Sequence, residues 1–325
     1  MKTHHDHHAL PQMTGDRTFL TDGGLETSLI FHDGMDLPAF ASFPLLFTEE
    51  GRARLVAYYE QYLATARDHG MGFVLEGVTW RASRDWADEL GLTDADLLRA
   101  IDASSELMAG LRDRWQATVP VVVSACIGPR GDGYAPDGHM TATEAEAYHA
   151  FEIRRMAEGA IDQVSAFTIT YVDEAVGITA AAARVGIPVA ISFTVETDGR
   201  LPDGTSLGDA IDATDAATGG YPAYYMVNCA HPTHVVPGLE KGAPWTARIQ
   251  GLRANASTLS HAELDESETL EDGDPVDLGR RYVDLHETLP GLRVLGGCCG
   301  TDHRHVEAIA GAWTGAGRTA TTSLV

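Results

Sequence analysis

Cysteine is scarce: four residues in a chain of 325, too few for a disulfide framework and consistent with a reducing compartment. Positive charge is scarce as well. Lys and Arg total 23 against 47 Asp and Glu, a formal net charge of -24, which repels phosphate backbones and anionic headgroups. Nucleic acid and membrane surfaces are thereby excluded as expected partners. The longest strongly apolar run, VPVVVSACIG at 119–128, falls well short of the ~20 residues that span a bilayer. The opening stretch MKTHHDHHALPQ has no basic segment followed by an apolar one, so no secretory signal is expected and the cytoplasm is the expected location. Its four histidines, His4, His5, His7 and His8, can bind metal opportunistically, but residues 1–16 read as a mobile polar terminus.

What the chain has is a repeating alternation of short apolar segments and longer amphipathic ones, the mark of parallel strands joined by helices. Strands are expected at 18–24, 72–77, 120–128, 166–171, 188–195, 224–230, 247–257 and 293–300. Between them lie helix-periodic or alanine-rich stretches such as TEEGRARLVAYYEQYLATARDHG and VDEAVGITAAAARVG. Eight such units in about 300 residues predict a single (β/α)₈ TIM barrel over 17–325 rather than a doubly wound sheet.

In such barrels chemistry gathers at the C-terminal ends of the strands. The polar residues expected there are Asp22, Glu26, Glu76, Thr79, Cys126 and Thr170, then Glu196, Asn228, Cys229, Asn255, Cys298 and Cys299. Cys298 and Cys299 are adjacent, and neighbouring cysteines do not easily bond to each other. Cys229 closes the sixth strand and the pair closes the eighth, so three thiols can converge at the barrel mouth. Three thiolates suit a tetrahedral zinc ion with its fourth position open, as in catalytic sites. The alternative is three small buried residues at a glycine-rich turn, without a metal.

With DGGLETSL at the first strand, NCAHP at the sixth, RANAS at the seventh and GGCCGTDHRHVEAIA at the eighth, the chain resembles the homocysteine S-methyltransferases. That family includes the betaine- and S-methylmethionine-dependent enzymes and the homocysteine-binding barrel of methionine synthase. The resemblance covers nearly the whole chain in order. It implies a (β/α)₈ barrel, zinc on Cys229, Cys298 and Cys299, and transfer of a methyl group to homocysteine to give methionine. A metal-bound thiol is deprotonated at neutral pH, whereas a free one is mostly protonated. The thiolate can then attack a methyl group whose leaving atom is cationic, which makes a sulfonium such as S-methylmethionine or S-adenosylmethionine the expected donor. A different thiol acceptor, or an inactive zinc-binding barrel, is the alternative. A zinc hydrolase is disfavoured because such sites use histidine and carboxylate ligands.

Substrate contacts are expected from Asp22, Glu26, Glu76, Thr79, Trp80 and Asn228. Trp80 and Trp86, in EGVTWRASRDW, offer ring faces to a cationic donor, with packing as the other use. The family's fourth-strand glutamate, which holds the homocysteine amino group, has no counterpart in SAFTITYVDEA, where Phe167 takes its place. Glu76 and Asp22 are the residues left to bind that amine. Asn228 and Asn255 can support the ligands or touch substrate, Cys126 reads as a core residue, and His231, His261, His303 and His305 as capping or surface groups.

Overall fold

The computed structural model describes residues 10–133, 138–267 and 269–318. The expected histidine cluster at 4–8 lies outside them. Eight parallel strands close in chain order: β1 (Phe19–Leu20), β2 (Gly72–Glu76), β3 (Val121–Ile127), β4 (Gln163–Ile169), β5 (Val189–Phe193), β6 (Tyr224–Asn228), β7 (Ile249–Ala254) and β8 (Val294–Gly297). Each is followed by a helix: α1 (Glu49–Asp68), α2 (Asp94–Trp115), α3 (Ala142–Met156), α4 (Val172–Val185), α5 (Leu207–Thr218), α6 (Pro232–Val235), α7 (Pro275–Leu285) and α8 (His303–Gly315). This is the expected (β/α)₈ barrel.

Local sequence sets the helix ends. Thr93 with Asp96 and Thr141 with Glu144 form reciprocal caps that start α2 and α3. Gly186, at φ 71°, stops α4 in a left-handed turn that a side chain would strain. The helices bury one face against the outside of the barrel, where Leu55, Tyr59, Leu63, Ile178, Ile211 and Trp313 join one continuous core. A second apolar cluster lies inside the barrel and includes Val74, Val122, Cys126, Phe167, Tyr224 and Met226.

The interior is not wholly apolar. A polar column climbs through it: Gln12 Nε2 donates to Gln163 Oε1 (2.8 Å), Gln163 Nε2 donates to Ser165 Oγ (3.1 Å), and Ser165 Oγ donates to Glu76 Oε1 (3.0 Å). This column explains why β4 starts three residues before its expected position at 166. Its first inward residues are the polar Gln163 and Ser165, which read as loop in a sequence but bond to one another here. At the lower end, Pro11–Thr14 forms one helical turn with Leu10 and Gln12 buried. The described part of the expected mobile segment is thus packed against the barrel, because Gln12 enters the column.

β4 also ends irregularly. Its register against β5 shifts between Ala166 and Ile169, and Thr168 takes a left-handed φ of 63°. Asn228 holds that bulge, accepting from Thr168 N at 2.8 Å and donating to Thr168 Oγ1 at 2.9 Å. Bulges of this kind re-aim side chains near active sites.

Candidate active site

One cavity of about 530 Å³ opens at the C-terminal mouth of the barrel. Cys229, Cys298 and Cys299 line it, and their sulfurs lie within 4.8 Å of one another. Cys229 Sγ and Cys299 Sγ are 3.9 Å apart. Tetrahedral Zn–S bonds of about 2.3 Å place sulfurs about 3.8 Å apart, so the three thiols fit a zinc ion with one position open.

The backbone brings them together in two ways. Cys229 adopts φ 53°, uncommon for a residue with a side chain, and its carbonyl accepts from Asn255 Nδ2 (3.0 Å) and lies 2.6 Å from His261 Nε2. These two neighbours hold the strained turn that points its sulfur across to β8. Just after β8, Cys298 N donates to Ala254 O at 2.8 Å, which docks the turn on β7. Gly297 sits so close to Thr301 that any Cβ would collide with its side chain, and Gly300 turns back at φ 78°.

Glu76 ends β2, buried, and its Oε2 has no partner while Oε1 is held by Ser165. Burial lifts its carboxyl to about 7. Asp22 also reaches the cavity but is engaged: Oδ1 is 3.0 Å from Arg253 Nη1, Thr21 Oγ1 donates to Oδ1 at 2.9 Å, and Tyr58 OH donates to Oδ2 at 3.1 Å. Glu26 lines the wall and accepts from Ser42 Oγ at 2.7 Å; burial raises its pKa despite that bond.

Arg253 was not among the expected site residues, although it stands in RANAS. The signal is the one cation of the strand IQGLRA, placed near the C-terminal end where site residues gather. Its guanidinium donates to Gly297 O (2.9 Å), Thr21 Oγ1 (2.9 Å) and Gly23 O (3.0 Å), tying β7 to the loops after β1 and β8. Its central carbon lies 4.9 Å from the centre of the Phe167 ring. Phe167 therefore covers a buried cation.

Other expectations fall in different places. Thr79 does not line the cavity; its hydroxyl donates to Cys126 O at 2.6 Å and braces the loop after β2. Asn228 lines it, but its amide is committed to Thr168, to Ser192 Oγ (2.7 Å) and to Cys298 Sγ (3.8 Å), so it orients the thiol rather than presenting a free amide. Cys126 is buried and reaches the wall. His261 is more than a surface group, since it bridges Cys229 O and Glu196 (3.1 Å). His231 caps α6, and buried His305 faces Asp302 at 3.1 Å. Trp80 and Trp86 both line the cavity, yet a cation already rests on them: the guanidinium carbon of Arg81 is 4.5 Å and 3.8 Å from the two ring centres.

The sequence profile of the homocysteine S-methyltransferases matches residues 19–313. No curated protein is significantly similar in sequence. Among solved structures, the metallated form of the homocysteine methyltransferase MmuM from Escherichia coli is similar at 21% identity and TM-score 0.69, over 91% of this chain and 96% of that one. The oxidized form of the same protein is similar at 20% identity and TM-score 0.74, over 94% and 99%. At that identity these structures bear on the fold, and the family rests on the profile, which covers the barrel from β1 to α8. The chain belongs to the homocysteine S-methyltransferase family and is a methyltransferase.

Proposed function

We propose that the protein transfers a methyl group from a sulfonium donor to homocysteine, with zinc held by Cys229, Cys298 and Cys299. The observation that carries this reading is the convergence of three thiols on one point of a cavity large enough for two small molecules. Zinc bound there supplies the Lewis acid that keeps an acceptor thiol deprotonated at neutral pH. The acceptor's sulfur gains the methyl carbon as that carbon's bond to the sulfonium breaks. The bonding pair stays with the donor sulfur, which leaves as a neutral thioether.

The chain's own residues support both substrates. Among the described residues the wall carries six carboxylates, those of Asp22, Glu26, Glu76, Asp132, Asp265 and Glu271, against the two guanidiniums of Arg81 and Arg253. That excess of negative charge favours cationic ligands. Within it Glu76 is the acid best suited to an ammonium, because one oxygen is unbonded and removed from water. Asp22 acts with it only indirectly, since Arg253 already neutralises it. A reduced three-thiol site also suits the cytoplasm.

A second reading rests on Phe167 and Arg253: with the family's acid replaced by a ring over a cation, the acceptor is a thiol that lacks the amine. A screen on zinc-loaded protein decides, pairing S-methylmethionine, S-adenosylmethionine and methyl-tetrahydrofolate with homocysteine and 3-mercaptopropionate. Methionine formed from the sulfonium donors supports the first reading. Turnover with methyl-tetrahydrofolate alone contradicts it.

A further inference from the structure

The loop after β2 places Arg81 on the cavity wall, 8% exposed, against the rings of Trp80 and Trp86. Stacking fixes the plane of the guanidinium and leaves its edges for hydrogen bonding. Those edges are poorly used. Nη1 donates to Gly131 O at 3.1 Å, Nη2 reaches the half-exposed Asp132 carboxylate only at 3.4 Å, and Nε is buried with no acceptor. A buried N–H without a partner is costly, and the Nε–Nη2 edge is the side of an arginine that grips a carboxylate with two parallel bonds.

We infer that Arg81, clamped by Trp80 and Trp86, is the receptor for the carboxylate of a zwitterionic methyl donor, with Asp132 as the group that a ligand carboxylate displaces. This rests on the proposed sulfonium chemistry and specifies its donor class. The rings that a free cation would otherwise occupy hold the chain's own cation, so the donor is recognised by its anionic end. Its sulfonium is left free to face the acidic wall and the three thiols. Arg81 lies five residues beyond Glu76, on the loop above the strand end. The acceptor, whose sulfur and amine would meet the cysteines and Glu76, takes the part of the cavity at the strand ends.

The test measures donor binding to the zinc-loaded full chain by quenching of tryptophan fluorescence, with 3-(dimethylsulfonio)propionate and trimethylsulfonium as probes. The carboxylate-bearing probe should bind roughly 10- to 100-fold more tightly, the worth of a charge-assisted pair. Arg81→Gln and the charge-retaining Arg81→Lys should erase most of that preference, and Asp132→Asn should tighten the carboxylate probe. In steady state Arg81→Lys should raise KM for the donor and leave KM for homocysteine within about twofold. Equal binding of the two probes, or no binding of either, overturns the inference, as does an Arg81→Lys effect confined to KM for homocysteine. Absence of methyl transfer from every donor would instead defeat the proposed function, while the probe preference would still report the carboxylate site.

Discussion

Asp22 of the DGG motif and Arg253 of β7 form a buried ion pair, 3.0 Å between Oδ1 and Nη1, at the floor of the cavity. The pair spans the closure of the barrel, since β1 and β7 both flank β8. Arg253→Met should strand the Asp22 carboxylate in the interior and cost on the order of 3–5 kcal/mol in chemical denaturation. Asp22→Asn combined with Arg253→Met should recover part of that loss. If the single variant unfolds at the wild-type denaturant midpoint, the pair is not holding the floor.

Cys298→Ala should strip zinc from the purified protein and abolish methyl transfer while leaving the far-ultraviolet dichroism and melting transition close to wild type. The thiols sit at the mouth, outside the packed interior that stabilises the barrel. Metal analysis checks it, and full zinc occupancy in the variant would count against the ligand set.

Glu76→Gln should lower kcat/KM for homocysteine roughly 30- to 1000-fold, the loss of a charged hydrogen bond worth on the order of 2–4 kcal/mol. Use of 3-mercaptopropionate should scarcely change. Equal losses for the two thiols would mean that Glu76 holds the barrel mouth and not the amine.

The same residue sets a pH signature in stability. Burial raises the Glu76 carboxyl to about 7 from an ordinary 4.5, so the folded chain holds this proton more tightly than the unfolded one. Its stabilising contribution is complete below about pH 4.5 and is lost as pH rises through about 7. Glu76→Gln, which keeps an acceptor for Ser165, should therefore be the more stable protein at pH 8, by up to about 3 kcal/mol. The advantage should fade toward pH 5. Denaturant titrations at the two pH values compare them, and a less stable variant at pH 8 would contradict the shift.

The barrel and its three thiols were legible because each rests on local sequence: apolar strands between helix signals, and cysteines at two strand ends. The limits of β4 were not, because Gln163 and Ser165 are satisfied by each other and by partners on other strands and on the N-terminal turn, which no local pattern announces. Arg253 was hidden for the same reason. Its partners Thr21, Asp22 and Gly23 are some 230 residues away in the chain. Trp80 and Trp86 both line the cavity, but nothing in WRASRDW tells that the arginine folds back onto both rings. Thr79 shows the same ambiguity, since a hydroxyl near a strand end satisfies a backbone carbonyl, here that of Cys126, as readily as a ligand.

The most direct measurement follows isotopically labelled homocysteine into methionine, with S-methylmethionine as donor and zinc added stepwise to metal-free protein. The predicted result is that labelled methionine forms at a rate that rises with bound zinc, saturates at one ion per chain, and is absent in Cys229→Ala, Cys298→Ala and Cys299→Ala. Transfer at the full rate without zinc, or undiminished in any of the three variants, would contradict the account.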